Sequence, residues 1–384
     1  MSALDPAVIP LSLYVHLPWC VRKCPYCDFN SHELAGAVPE DAYVAALLRD
    51  LDAELALGET RPLQTIFIGG GTPSLFSGAA IARLLDGVRA RLPLAGEAEI
   101  TLEANPGAVD EAHFARYREA GVNRLSIGVQ SLREAQLRAL GRIHTPGEVS
   151  RAVAAARAAG FDNFNLDLMH GLPGDTAGDA LADLEAALAF GPTHLSWYQL
   201  TLEEGTAFAR RPPALPDEDL TAVDVDAGIA VMAAAGFQRY EISAFSQQGR
   251  ASRHNLNYWT FGDYLGIGAG AHGKLSRASG LLRTSKRRHP QAYMKAPDDA
   301  RRAVPEADLV TEFAINALRL VAGFSAETFT QRTGLPWSTL AAALEAGFAQ
   351  GWLEAQPGGV RPSAQGLRFL NDLQLLFLPE AEAE

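Results

Sequence analysis

Residues 19–30, WCVRKCPYCDFN, hold every cysteine of the 384-residue chain: Cys20, Cys24 and Cys27. They follow an apolar run, LSLYVHL from Leu11, so the thiols sit on the loop leaving a first strand. An odd, tightly clustered cysteine count in a chain without a signal peptide makes a poor disulfide framework. A C-x3-C-x2-C spacing instead lets three thiolates converge on one metal centre, and soft thiolates suit zinc or an iron–sulfur cluster. Structural zinc wants four ligands, and His16 or His32 could supply the fourth. A cubane cluster also usually takes four cysteines. Three therefore imply an iron left open to a ligand that is not protein.

Working outward from the loop, five more β-rich runs follow: QTIFIGG from Gln64, AEITLEAN from Ala98, VNRLSIGVQS from Val122, FDNFNLDLMHG from Phe161 and THLSWYQLT from Thr193. Segments of helical period separate them, several opening on Ser or Asp and some closing on Gly. Strands alternating with helices predict βαβ units with right-handed crossovers, and six such units can curl into an incomplete parallel (β/α)6 barrel. Polar or small residues interrupt nearly every run near its end: the Gly69–Thr72 turn, Glu103 and Asn105, Gln130, Asp167 and Gln199. That edge is where α/β folds build their sites.

The cysteine triplet with Tyr26 before its last member, the GGGTPS turn after the second strand and LEANPG after the third together resemble the radical S-adenosylmethionine (SAM) superfamily. The resemblance extends to the branch containing oxygen-independent coproporphyrinogen oxidases and haem chaperones. It implies a 4Fe-4S cluster on Cys20, Cys24 and Cys27 whose open iron is chelated by the methionyl amine and carboxylate of SAM. It also implies SAM contacts from Tyr14, Gly70, Gly71, Thr72, Glu103, Gln130, Arg142 and Asp167. The oxidases carry a fourth cysteine two positions after the third, where this chain has Phe29, and a longer segment ahead of the cluster. The chaperone members show CDFNSH and an HNxxYW element, and this chain reads RHNLNYW from Arg253. Their resemblance implies haem contact at His254, with Tyr258 and Trp259 as surfaces that could stack on a porphyrin. It further implies haem transfer to an acceptor protein, a respiratory one, an electron donor such as a flavodoxin or ferredoxin, and peripheral membrane association.

Three further stretches shape the expectations. The basic run RTSKRRH from Arg283 reads as a solvated loop, with haem propionates or an acidic partner as the alternative. PDDARRAVP from Pro297 reads as a linker, dividing a barrel domain with its haem-motif extension (1–296) from a second domain (306–384). The second domain's helices and hairpin-like LEAQPGGVRPSAQGL suggest a winged-helix-like unit, and with it a rival reading as a zinc-containing DNA regulator. Charge opposes that reading. Residues 306–384 hold four Arg and no Lys against ten Asp and Glu, and the whole chain carries a formal net charge of -12, a surface that repels phosphate. With 48% hydrophobic residues, neither a signal peptide nor a membrane span in the sequence and an acidic balance, the expectation is a globular cytoplasmic protein that binds no nucleic acid.

Overall fold

The computed structural model describes residues 4–297 and 299–379. All six expected runs are strands: β1 (Leu11–Leu17), β2 (Leu63–Gly70), β3 (Leu94–Ala104), β4 (Arg124–Gln130), β5 (Phe164–His170) and β6 (His194–Gln199). They lie side by side in chain order, each parallel to the one before. The crossovers carry helices α1 (Glu40–Leu55), α2 (Gly78–Arg89), α3 (Ala108–Ala120), α4 (Pro146–Ala158) and α5 (Asp179–Leu188). Local chemistry sets their ends. The Ser77 side chain caps α2 by accepting from Ala80 N–H, Thr145 and Glu148 form a capping box at α4, and Gly121 closes α3 in the left-handed region at φ 107°.

Six more strands extend this row, and none of them was read from the sequence. Helix α6 (Glu218–Ala234) leads into β7 (Gln238–Glu241) and β8 (Ala244–Ser246), which add antiparallel beyond β6. Helix α7 (Arg253–Trp259) is the HNxxYW element. After it, β9 (Asp263–Ile267) pairs parallel with β1, and β10 (His272–Arg277), β11 (Gly280–Lys286) and β12 (Asp299–Ala303) continue antiparallel. The result is a twelve-stranded sheet in the order β12-β11-β10-β9-β1-β2-β3-β4-β5-β6-β8-β7. Among the described residues its two end strands do not pair with each other, so the barrel stays open.

The parallel strands alternate in a way that fixes which face is which. In β1, Leu11, Leu13, Val15 and Leu17 join the main apolar core with Leu47 and Leu51 of α1. The intervening Ser12, Tyr14 and His16 face the other way, as do Arg124, Ser126 and Gly128 of β4, and Asn165 and Asp167 of β5. One face thus packs under helices while the barrel interior is polar. Helix α7 lies over that polar interior, with its His254 bonded to Thr65 of β2 and its N-terminal turn accepted by Glu99 of β3.

The second domain follows expectation: α8 (Leu309–Ala317), α9 (Ala326–Thr333) and α10 (Ala341–Ala349) pack with a small sheet of β13 (Phe324–Ser325), β14 (Leu353–Gln356) and β15 (Gly359–Pro362). Its core of Phe313, Phe324 and Phe329 also includes Phe261, from just after α7, so it is continuous with the barrel domain. Two expectations are corrected. The segment between Pro297 and Pro305 is no free linker, because it forms edge strand β12 against β11. The basic run is a solvated loop only in part: Lys286 is buried and paired with Asp50 (2.7 Å) and Glu54, and Arg283 bonds Tyr264 and Glu312, while Arg287, Arg288 and His289 are exposed. Two of its cations, Arg283 and Lys286, are there because carboxylates from two other elements need partners.

Candidate cluster and ligand site

Backbone hydrogen bonds pin the cysteine loop to the glycine turn. Gly71 N–H donates to the Leu17 carbonyl (2.8 Å) and Thr72 N–H to that of Trp19 (2.7 Å). A Cβ on Gly71 would stand 2.5 Å from the Trp19 oxygen, so only glycine permits the approach. Gly70 adopts φ 124°, and its N–H donates to Glu103 Oε2 at 3.0 Å.

Each sulfur then meets a hydrogen-bonding hydroxyl or guanidinium from a different part of the fold. Thr72 Oγ1 donates to Cys20 (3.6 Å), Arg142 Nη1 to Cys24 (3.8 Å), and Ser31 Oγ lies 3.9 Å from Cys27. Burial pushes the Cys20 and Cys27 thiols up. Arg142 also donates to Asn105 Oδ1 (2.5 Å) and the Gly128 carbonyl (2.6 Å), and Asn105 Nδ2 to Thr72 Oγ1 (3.0 Å). Its Nε is buried without a partner. Asn105 links the glycine turn to Arg142, a junction that sequence reasoning noted only as a polar strand end.

All three cysteines, together with Gly70, Gly71, Thr72, Glu103, Gln130, Arg142 and Asp167, line one cavity of about 690 Å³. Glu103 is held up at about 8 by burial first and by Asp167 second, so at neutral pH it is a carboxylic acid with an O–H to offer. Asp167 accepts from Asn165 (2.8 Å) and Ser126 (3.1 Å). It lies inside the barrel, three residues short of the end of β5, rather than at the strand's edge. Gln130 ends β4 at a register shift with φ 67°, its Oε1 taking the Tyr198 hydroxyl at 2.8 Å. Gln199 does not line the cavity. Donors on two of the sulfurs, a guanidinium with an unused buried N–H and a neutral acid are a donor set that fits a thiolate-bound cluster with a zwitterionic nucleoside ligand beside it.

Tyr14 faces a second cavity, of about 860 Å³, which shares Gly70 and Glu103 with the first. Its hydroxyl lies 2.8 Å from His16 Nδ1, and His16 Nε2 lies 2.9 Å from the Asn30 carbonyl. A carbonyl only accepts, so Nε2 carries the proton and Tyr14 donates. His16 thus has both nitrogens engaged. His32, the other candidate for a fourth zinc ligand, packs edge-on against His289. Among the described residues no three His, Cys, Asp or Glu side chains stand close enough to hold a single metal ion.

His254 is not in either cavity. It is 1% exposed, with Nδ1 2.6 Å from Thr65 Oγ1 and Nε2 2.8 Å from the Tyr258 hydroxyl, and burial pushes it down to about 3. An iron atom cannot reach either nitrogen without breaking one of these bonds. What the motif presents to the larger cavity is Tyr258 and Trp259, alongside Phe261, Tyr264, His272 and Arg288.

Residues 14–187 match the Radical SAM superfamily and residues 304–369 the HemN C-terminal domain. The protein called Heme chaperone HemW in Escherichia coli (strain K12) is 52% identical over 97% of this chain and 99% of its own length. Its namesake in Haemophilus influenzae is 45% identical over 98% and 100%. The mitochondrial Radical S-adenosyl methionine domain-containing protein 1 of Mus musculus is 37% identical over 97% and 88%. Among solved structures, the coproporphyrinogen III oxidase (HemN) from Escherichia coli superposes with a TM-score of 0.82 over 98% of this chain and 91% of that one, at 23% identity, which shows a shared fold. The chain belongs to the radical SAM superfamily and, within it, to the HemW family.

Proposed function

We propose that this protein is a haem chaperone that binds haem beside a SAM-ligated 4Fe-4S cluster and passes the haem to an acceptor protein, a respiratory one. Full-length identity of 52% to a relative named for that role carries the reading. The cavities support it. The larger is walled by Tyr14, Tyr258, Trp259, Phe261 and Tyr264, flat surfaces suited to a porphyrin. At its exposed end lies Arg288, whose guanidinium can pair with a propionate.

The cluster, held by Cys20, Cys24 and Cys27, supplies a site for SAM and for single-electron transfer. Around it Arg142 is placed to take a carboxylate, Glu103 to donate to a sugar hydroxyl, and the Gly70–Gly71 backbone to flank the ligand. At the mouth of that cavity Val21, Phe29 and Ile143 are exposed, at 58%, 59% and 62%. These apolar tips suit the docking of a small redox donor such as a flavodoxin or ferredoxin. Peripheral contact with a membrane, where respiratory acceptors sit, belongs to the same reading. No helix among the described residues is long and apolar enough to cross one.

Anaerobic titration with haem and with coproporphyrinogen, side by side, tests the proposal. The chaperone reading expects a Soret band from bound haem, its decay on adding a haem-free acceptor, and coproporphyrinogen left intact in the presence of SAM and reductant. Consumption of coproporphyrinogen would overturn it in favour of the oxidase.

A further inference from the structure

We propose that Tyr258, rather than His254, ligates the haem iron, with His254 as the positioning residue behind it. The inference rests on haem being the cargo, and it follows from the hydrogen-bond chain under the cavity floor. His254 and Tyr258 are four residues apart on one face of α7, which Ser252 caps. Thr65 Oγ1 donates to Ser12 Oγ at 2.8 Å. Its only hydrogen is thereby used, so it accepts from His254 Nδ1–H at 2.6 Å. That tautomer leaves a lone pair on Nε2, and the Tyr258 O–H, 2.8 Å away, donates to it. The imidazole is seated against the Phe67 ring at 5.1 Å and cannot swing outward while these bonds hold.

Tyr258 itself lines the cavity, its ring edge-on to Tyr264 at 4.6 Å. Burial first, and then Tyr264, Tyr14 and Glu103, which all line the same cavity, push its hydroxyl well above the ordinary value. Tyr258 is therefore a neutral phenol in the free protein and ionises only on bonding iron, and tyrosine is an established type of haem ligand. On binding, the phenol oxygen bonds the open axial position of ferric haem and its proton is released to solvent through the cavity, while His254, held neutral by burial, orients the phenol in the free protein rather than taking its proton. No electron changes hands. A hard phenolate prefers ferric to ferrous iron, so ferric haem is the form this site takes.

The test is ferric haem titrated into the full-length protein, read by absorbance and resonance Raman. The wild type should show a phenolate-to-iron charge-transfer band with enhanced phenolate vibrations, and weaker binding after dithionite reduction. Tyr258→Phe should lose both signatures and bind ferric haem roughly tenfold or more weakly. His254→Gln should keep the phenolate band and bind roughly tenfold more weakly, as expected for loss of the group that orients a ligand. Because His254 is buried, its replacement puts the fold at risk, whereas Tyr258→Phe removes one oxygen and carries the test by itself. An imidazole-type spectrum in the wild type, or an unchanged spectrum in Tyr258→Phe, overturns the inference and leaves the chaperone reading standing. Failure of the wild type to bind haem at all overturns both.

Discussion

Gly71→Ala should detach the cysteine loop from the sheet. The added methyl would stand 2.5 Å from the Trp19 carbonyl oxygen, 2.8 Å from its carbon and 2.9 Å from the Pro18 carbon. All three are backbone atoms, so no side chain can move aside. Restoring an ordinary separation of about 3.5 Å requires the two segments to part by about 1 Å. That movement takes the Gly71–Leu17 and Thr72–Trp19 hydrogen bonds, now 2.8 and 2.7 Å, past useful length. Overpacking of about 1–3 kcal/mol and loss of two hydrogen bonds worth about 1 kcal/mol each give a destabilisation of about 3–5 kcal/mol. Cys20 is the next residue after Trp19, so the movement also draws its sulfur from Thr72. Gly96→Ala is the control, since its Cβ would meet nothing within 4 Å. The assay pairs urea unfolding with iron content per chain after anaerobic reconstitution. If Gly71→Ala matches Gly96→Ala in both midpoint and iron, the argument from close approach is wrong.

Three other outcomes follow from the same structure. Lys286→Met strands the buried Asp50 and Glu54 carboxylates and should lower stability by about 3–5 kcal/mol, whereas Asp50→Leu/Glu54→Leu/Lys286→Met should come within about 1 kcal/mol of wild type in urea. Glu103 has a folded value of about 8 against an ordinary 4.5, so the folded state holds its proton more tightly. Its contribution to stability is complete below 4.5 and is lost as pH rises from there towards 8. Unfolding midpoints measured across that range should fall with pH less steeply in Glu103→Gln, the remaining slope including Asp167, whose carboxyl is also raised. Arg142→Lys keeps the charge but loses the fork that reaches Asn105 and Gly128 together. Calorimetry with the reconstituted protein should show SAM bound roughly tenfold more weakly or worse, with iron content near normal.

The six parallel strands were legible because each is a short apolar run bounded by helical period. Their alternation was legible too, though its meaning was not drawn out: Ser12, Tyr14 and His16 between the leucines of β1 already say that one face of a parallel sheet is wet, which only a barrel with a polar lumen allows. The cysteine triplet and the glycine turn could be read because their spacing is local. What escaped depends on distant partners. Asp299–Ala303 looks like a charged linker until β11 lies beside it, and Lys286 looks solvated until Asp50 and Glu54 arrive from α1. His254 is the clearest case. Sequence shows an imidazole and two aromatics in seven residues, but not that Thr65, almost 190 positions earlier, turns the imidazole inward and leaves the tyrosine facing the cavity.

The central claim is a cluster held by three thiolates with one iron free for SAM, and Mössbauer spectroscopy of the anaerobically reconstituted protein, with and without SAM, tests it most directly. The account expects about four irons per chain, one of them distinct from the rest and shifted when SAM is added. Zinc in place of iron, or a cluster whose irons are all indifferent to SAM, would contradict it.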